Sequence, residues 1–292
     1  MKNVLKQIGK ALGYFAVYLA ASNAVTAIVS FVLGVIKGYE AKQAGLSFEE
    51  GQATFTEAMN SMTGWCLLIG AVLTLVIFAI VEKVKKTSLP KEADIKRASA
   101  RQIVFTVVGA LGGMFFTNFI MSYLPIPAEL TSELSSGMDK LTAYPFWLAV
   151  LADCIAVPLL EEVVFRGYLF NRLNKAMPAI VAALISSAVF GICHGGLLWA
   201  VWAFVLGMLI CVVRIKSGSI VPGIIFHVIV NLFGIVTTYF PVLDNMTEEV
   251  MLGLTIGGGV LVAVYVFGVL TDKSAPVNTS KAEVVIKAAK EM

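Results

Sequence analysis

The chain of 292 residues is organised as long apolar runs of about 17–25 residues separated by charged or turn-forming clusters, the length at which an α-helix crosses the hydrocarbon layer of a bilayer. Such runs occupy 11–37, 64–82, 102–124, 144–170, 179–195, 197–213, 220–240 and 250–270. They predict an all-α, polytopic transmembrane bundle of about eight helices, because only helices and closed barrels satisfy their backbone groups in lipid. The first run follows Lys2, Lys6 and Lys10, like the charged start of a signal peptide. Its apolar character continues to Ile36, well past the about 7–15 residues of a signal h-region, which predicts an uncleaved span.

The connections are shorter and polar. In 38–63, Leu46, Phe48, Phe55 and Met59 are interleaved with Glu and Gln, a pattern that cannot span and predicts a short amphipathic helix at the interface. Residues 1–271 thus form one membrane domain, followed by a polar, Lys-bearing tail over 272–292. Gly109 with Gly113, and Gly253 with Gly257, have the small-x-x-x-small spacing that permits close helix approach.

Composition strengthens this picture. Hydrophobic residues make up 58% and charged residues 14%, against about 25% charged in soluble domains. Mean hydropathy is +0.86. Cys66, Cys154, Cys193 and Cys211 all fall in apolar runs without metal-knuckle or disulfide-framework spacing, and are predicted to be small packing residues. The net charge of +3 implies no nucleic-acid partner; its distribution is what informs. On one side of the predicted bundle lie the N-terminus, seven Lys/Arg between Lys83 and Arg101, the Arg166 to Lys175 stretch, Arg214, Lys216 and the tail. The other side has Lys37, Lys42 and Lys140 among ten acidic residues that include Glu40, Glu57, Glu129, Glu133 and Glu249. By the positive-inside rule both termini are expected to be cytoplasmic, in the cell membrane if the source is bacterial.

Ionisable side chains within apolar runs are costly and are functional candidates for that reason. Here they are Asp153, Glu161, Glu162, Arg166, His194 and His227, and those two histidines are the only ones in the chain. The i,i+4 spacing sets Glu162 beside Arg166 and turns Glu161 about 100° away, so a paired carboxylate and a desolvated one, suited to general acid or base work, are expected side by side. Phe190 and His194, and His227 and Asn231, are likewise one turn apart. Asn231 and one histidine can donate to a developing oxyanion, while the other histidine can orient a water against Glu161. The competing readings are glutamates that mark a helix end, and His and Asn that tie helices together by hydrogen bonds. Asp153 has no role assigned by the sequence.

The ordered set E-E-x-x-x-R at Glu161 to Arg166, F-x-x-x-H at Phe190 to His194 and H-x-x-x-N at His227 to Asn231 resembles the CPBP family, also called the Abi or type II CAAX protease family, over residues 144–240. The resemblance implies an eight-helix intramembrane endopeptidase whose first glutamate activates water, with a peptide or membrane protein as substrate and Glu161, Glu162, Arg166, His194, His227 and Asn231 as site residues. That family is often labelled metallopeptidase. This chain lacks the H-E-x-x-H spacing of a preformed zinc site, so no cofactor is expected; zinc on Glu161, His194 and His227 is the alternative. A non-proteolytic membrane regulator or scaffold with the same fold is the competing function. A transporter would show an internal repeat, and none is evident.

Overall fold

The computed structural model describes residues 2–240, 243 and 245–272, so all but the first residue of the predicted tail lies outside the described residues. It is an all-α membrane bundle. The helices are α1 (Lys2–Gln43), α2 (Phe48–Val84), the short α3 (Leu89–Glu92), α4 (Ala100–Ile120), α5 (Ala128–Leu141), α6 (146–174), α7 (Ala179–Ile192), α8 (Leu197–Ser217), α9 (Val221–Tyr239) and α10 (Glu248–Leu270). Six of them, α1, α2, α4, α8, α9 and α10, are long and apolar enough to cross a membrane. The chain is an integral membrane protein, and α6 and α7 complete the eight apolar helices that the sequence predicts.

Two differences from the sequence reading have local causes. The 38–63 connection forms no separate interfacial helix: α1 runs on to Gln43 and α2 starts at Phe48. The start of α2 is fixed by a capping box, in which the Ser47 hydroxyl accepts from the Glu50 N–H while the Glu50 carboxylate accepts from the Ser47 N–H. Between 124 and 144, in the connection between two predicted spans, α5 forms an amphipathic helix that packs against α8 and α9. An ideal Cβ on Gly137 of this helix would lie 3.0 Å from the Trp199 indole nitrogen of α8.

The glycine prediction holds on one side only. In α4, Gly109 sits under the Tyr265 ring, but Gly253 and Gly257 of α10 face open space. The close approach of these helices is made by Gly112 and Gly258 instead, where a Cβ on Gly112 would stand 2.9 Å from the Gly258 carbonyl. Cys66, Cys154 and Cys211 are buried as expected, whereas Cys193 is exposed at the end of α7.

At the end of the bundle where basic residues concentrate, the segment after α2 folds back as a plug. Gly167 of α6 leaves room for Ala93, which is fully buried. Asp94 adopts φ +57°, a left-handed conformation that Asp tolerates better than most residues. Its carbonyl accepts from the Ile220 N–H at 3.2 Å, and its carboxylate accepts from Arg214 Nη2 at 2.8 Å, from Asn171 Nδ2 at 2.9 Å and from Lys96. Arg214, fully buried on α8, also donates from Nε to the Arg166 carbonyl at 3.2 Å and from Nη2 to the Asn171 side-chain oxygen. This cluster joins the plug to α6 and α8.

Burial alone would raise the Asp94 carboxyl, but the Lys96 hydrogen bond, the charge of Arg214, that of Lys96 and the Asn171 donor outweigh it and hold the group below its ordinary value of 3.8. A carboxyl depressed in the folded state contributes stability that is present above its unfolded value and lost as pH falls through its folded value. The melting temperature in detergent is therefore expected to fall as pH drops below about 4, and to do so less in Asp94→Asn. Equal pH slopes for the two proteins would show that Asp94 does not anchor the plug.

Candidate functional site

The candidate residues are set by one irregular helix and two regular ones. Helix α6 alternates α-helical turns with π-helical segments at Val150–Ala156 and Glu162–Leu169. A π register widens the turn and commonly marks functional sites. In the first segment the Val157 N–H reaches back five residues to the Ala152 carbonyl. The next carbonyl, that of Asp153, would be served in the same register by residue 158, which is proline and has no N–H. The donor comes from another helix: Asn231 Nδ2 of α9 donates to the Asp153 carbonyl at 2.8 Å. A carbonyl only accepts, so the amide orientation of Asn231 is determined, and its second N–H remains available.

One turn of α6 beyond Pro158, the adjacent glutamates separate as their spacing predicts. Glu162 and Arg166 are both completely buried, and Arg166 Nη1 donates to Glu162 Oε1 at 2.9 Å. The guanidinium also lies 4.4 Å from the centre of the Phe190 ring of α7, a cation–π contact. Glu161 is 8% exposed and is turned toward His227, whose Nε2 is 3.6 Å from Glu161 Oε2. The same imidazole meets Glu162 Oε1 through Nδ1 at 3.1 Å. His227 thus stands between the two carboxylates, a dual role that the sequence does not reveal.

His194 lies just past the end of α7, where Gly195 and Gly196 take positive φ values of +66° and +31° and stop the helix. Its backbone N–H bonds the Gly191 carbonyl, leaving the Phe190 carbonyl for the imidazole, whose Nδ1 is 2.8 Å away. Since that partner can only accept, Nδ1 carries the proton and Nε2 offers a lone pair. Phe190 is the common wall of the site. Its ring is 4.4 Å from the His194 ring and 5.6 Å from the His227 ring, centre to centre.

Several supporting residues escape a reading of motifs. A Cβ on Gly207 of α8 would come within 2.8 Å of Arg166 Nη2, and one on Gly223 of α9 within 2.9 Å of Glu162 Oε2, so both glycines make room for the ion pair. Asp153, left without a role above, accepts from the Tyr144 hydroxyl at 2.8 Å, and Tyr239 of α9 donates to the Leu141 carbonyl at 2.7 Å and to the Tyr144 carbonyl. These bonds fasten the start of α6 to α9 below the Asn231 contact. Their only sequence signal is a tyrosine spaced two turns from Asn231 on one helix, too common a pattern to single out.

The donors form no preformed metal site among the described residues. Both nitrogens of His227 face carboxylates, and among the described residues no group of three His, Cys, Asp or Glu side chains is arranged to hold an ion. As arranged, the set does not fit a three-ligand zinc site.

Arg166→Ala should lower folded yield and cost about 3–5 kcal/mol in detergent unfolding, because it leaves Glu162 charged and buried. The double change Glu162→Gln with Arg166→Met should recover part of that loss. Normal stability of the single variant would refute the pair's structural role. Pro158→Ala supplies a competing N–H for the Asp153 carbonyl, so the Asn231 side-chain amide should exchange faster with solvent while the fold is kept; unchanged exchange would show that Pro158 does not direct that contact.

Residues 143–233, which contain all the glutamate, histidine and asparagine positions above, match the family model described as type II CAAX prenyl endopeptidase Rce1-like. The chain is 32% identical over 148 residues to the UPF0177 protein YxdF of Lactococcus lactis, an alignment covering 49% of this chain and 78% of that protein. It is 24% identical over 216 residues to the Bacillus subtilis protein named "Putative membrane peptidase YdiL", covering 71% of this chain and 85% of the relative. No solved structure matches. The family match falls on the helices that bring Glu161, Glu162 and His227 together, and the Lactococcus relative is covered over most of its length: the chain belongs to the type II CAAX prenyl endopeptidase Rce1-like family.

Proposed function

We propose that the protein is an intramembrane endopeptidase in which Glu161 acts as general base on the water that attacks a peptide carbonyl. The observation that carries this reading is the unequal partnering of two adjacent carboxylates. Glu162 is held by Arg166 and His227, while among the described residues Glu161 has no ion-pair contact closer than the 3.6 Å to His227 Nε2. That separation is longer than a hydrogen bond, so Glu161 is free to take a water. In this mechanism Glu161 removes a proton from water as its oxygen attacks the carbonyl. The second N–H of Asn231 donates to the oxyanion that forms. His194 accepts through Nε2 and so serves to orient the water, and Glu161 returns its proton to the leaving amine.

The donor geometry supports catalysis by Glu161 without metal, since among the described residues no group of three ligating side chains is arranged to hold an ion. The concentration of basic residues at the plug end supports placing that end, and both termini, in the cytoplasm. A peptide or membrane protein as substrate is supported by the name of the Bacillus subtilis relative, a putative membrane peptidase.

Glu161→Gln should lower cleavage of a peptide library in detergent by at least about a hundredfold without altering the melting temperature. A purified variant that keeps more of the wild-type rate would remove Glu161 from the mechanism; a scaffold with this fold would instead retain partner binding and show no cleavage in either protein. Enzyme stripped of metal, verified by elemental analysis, is expected to keep its activity. Loss of cleavage restored by stoichiometric zinc, with occupancy abolished by His194→Ala or His227→Ala, would establish the metal-dependent alternative.

A further inference from the structure

A second cavity lies at the basic end of the bundle, between α1, α2 and α6, with a volume of about 570 Å³. Its floor is apolar, formed by Val17, Phe78 and Val81, and its rim carries Lys10, Lys85 and Arg172. Arg172 follows Glu161 on α6 by eleven residues, or about 16 Å of helix rise, so the cavity is separate from the candidate active site. Its size falls within the about 300–1,000 Å³ typical of small-molecule sites.

Charge and depth define what fits. Tyr14 forms the centre of the wall, with the Lys85 ammonium 4.4 Å and the Arg172 guanidinium 5.7 Å from its ring centre. Two carboxylates accompany them. Glu82, completely buried, accepts from the Tyr14 hydroxyl at 2.7 Å and from Lys85 at 3.3 Å, and Glu92 pairs with Arg172. Lys10 has no carboxylate partner among the described residues, so three cations face two anions and the rim carries an excess positive charge. The cavity lies where α2 ends at Val84, with Lys83 in its last turn and Lys85 and Lys86 following, which is the depth of lipid head groups for a helix that crosses the bilayer. Cations above an apolar floor at this depth match a phospholipid, with phosphate at the rim and the first carbons of its chains on the floor.

We propose that this cavity binds the phosphate of an anionic phospholipid, with Lys10 as the cation that distinguishes anionic from zwitterionic head groups. The chemistry recognised is a phosphate ester; a free phosphate shares it but would leave the apolar floor uncovered.

The test uses delipidated full-length protein in detergent and reads thermal stabilisation against added phosphatidylglycerol, phosphatidylcholine or inorganic phosphate. Lys10→Ala is the variant, since Lys10 is exposed and its removal leaves both existing ion pairs intact. Lys6→Ala, an exposed lysine one turn earlier that does not line the cavity, is the control. Saturable stabilisation by phosphatidylglycerol, absent with phosphatidylcholine, should weaken about fivefold in Lys10→Ala and stay unchanged in Lys6→Ala. Equal response of the two variants, or equal effects of the two lipids, would overturn the proposal. Stabilisation by inorganic phosphate that matches the lipid and is lost in Lys10→Ala would overturn the lipid assignment and leave a free-anion site. None of these readings requires peptide cleavage, so the outcome is independent of the role given to Glu161.

Discussion

A guanidinium with no exposure to solvent is the feature around which the central helices are arranged. Inside an apolar bundle a buried charge is costly unless partnered, and here Nη1 of Arg166 is hydrogen-bonded while Nε and Nη2 have no hydrogen-bond partner among the described residues. Glu162, one turn earlier, takes one side, and the Phe190 ring takes the other. Gly207 is small so that α8 can pass beside Nη2, and the Arg166 carbonyl accepts from the equally buried Arg214. Through Arg214 and Asp94 the same chain of contacts reaches the plug at the basic end. Removing the charged partner of either arginine, Glu162 or Asp94, leaves a buried charge uncompensated, which costs far more than the pair contributes when intact.

Holding so many groups against one helix is incompatible with regular α-helical spacing. In α6 the backbone yields twice, at Val150–Ala156 and Glu162–Leu169, and each widened turn changes what the backbone offers to its neighbours. The first leaves the Asp153 carbonyl for Asn231 because Pro158 brings no N–H. The second carries Glu162 and Arg166 and presents the Phe165 carbonyl to Ser186, which donates at 3.1 Å. Helix α7 uses the same device at its end, where His194 takes by its side chain the carbonyl its own backbone has left. At Asp153 and Phe190 a polar side chain from an apolar run replaces a missing backbone donor, whereas at Phe165 the Ser186 hydroxyl adds to the Phe170 N–H.

These features explain which parts of the structure could be read in advance. Hydropathy is a property of composition, so the eight apolar helices and the i,i+4 pairing of Glu162 with Arg166 are legible from residue order alone. The α-helical extension of α1 and α2 through 38–63 was not, because a capping box and tertiary pairing decide it and the Glu/Gln content argued for an interface. Helix α5 escaped for a related reason: its apolar positions are few and gain their value from packing on α8 and α9. Gly253 and Gly257 had the right spacing on the wrong face, since spacing fixes a stripe but not the partner it meets. In the site, the meeting of Glu161 and Glu162 at one imidazole depends on how α9 is rotated against α6, and no local pattern encodes that rotation.

That rotation has a chemical consequence. With the carboxylate of Glu162 as its acceptor, Nδ1 of His227 is the donor of that contact, and Nε2 is held facing Glu161 at 3.6 Å. The buried ion pair thus anchors the ring that stands beside Glu161. In the proposed reaction, a proton taken from water by Glu161 sits next to a ring that is already anchored. Glu162 and Arg166 then act through His227 rather than on the substrate, which accounts for why the more buried of two adjacent glutamates is the one engaged by the arginine, and the less buried one is left open to water.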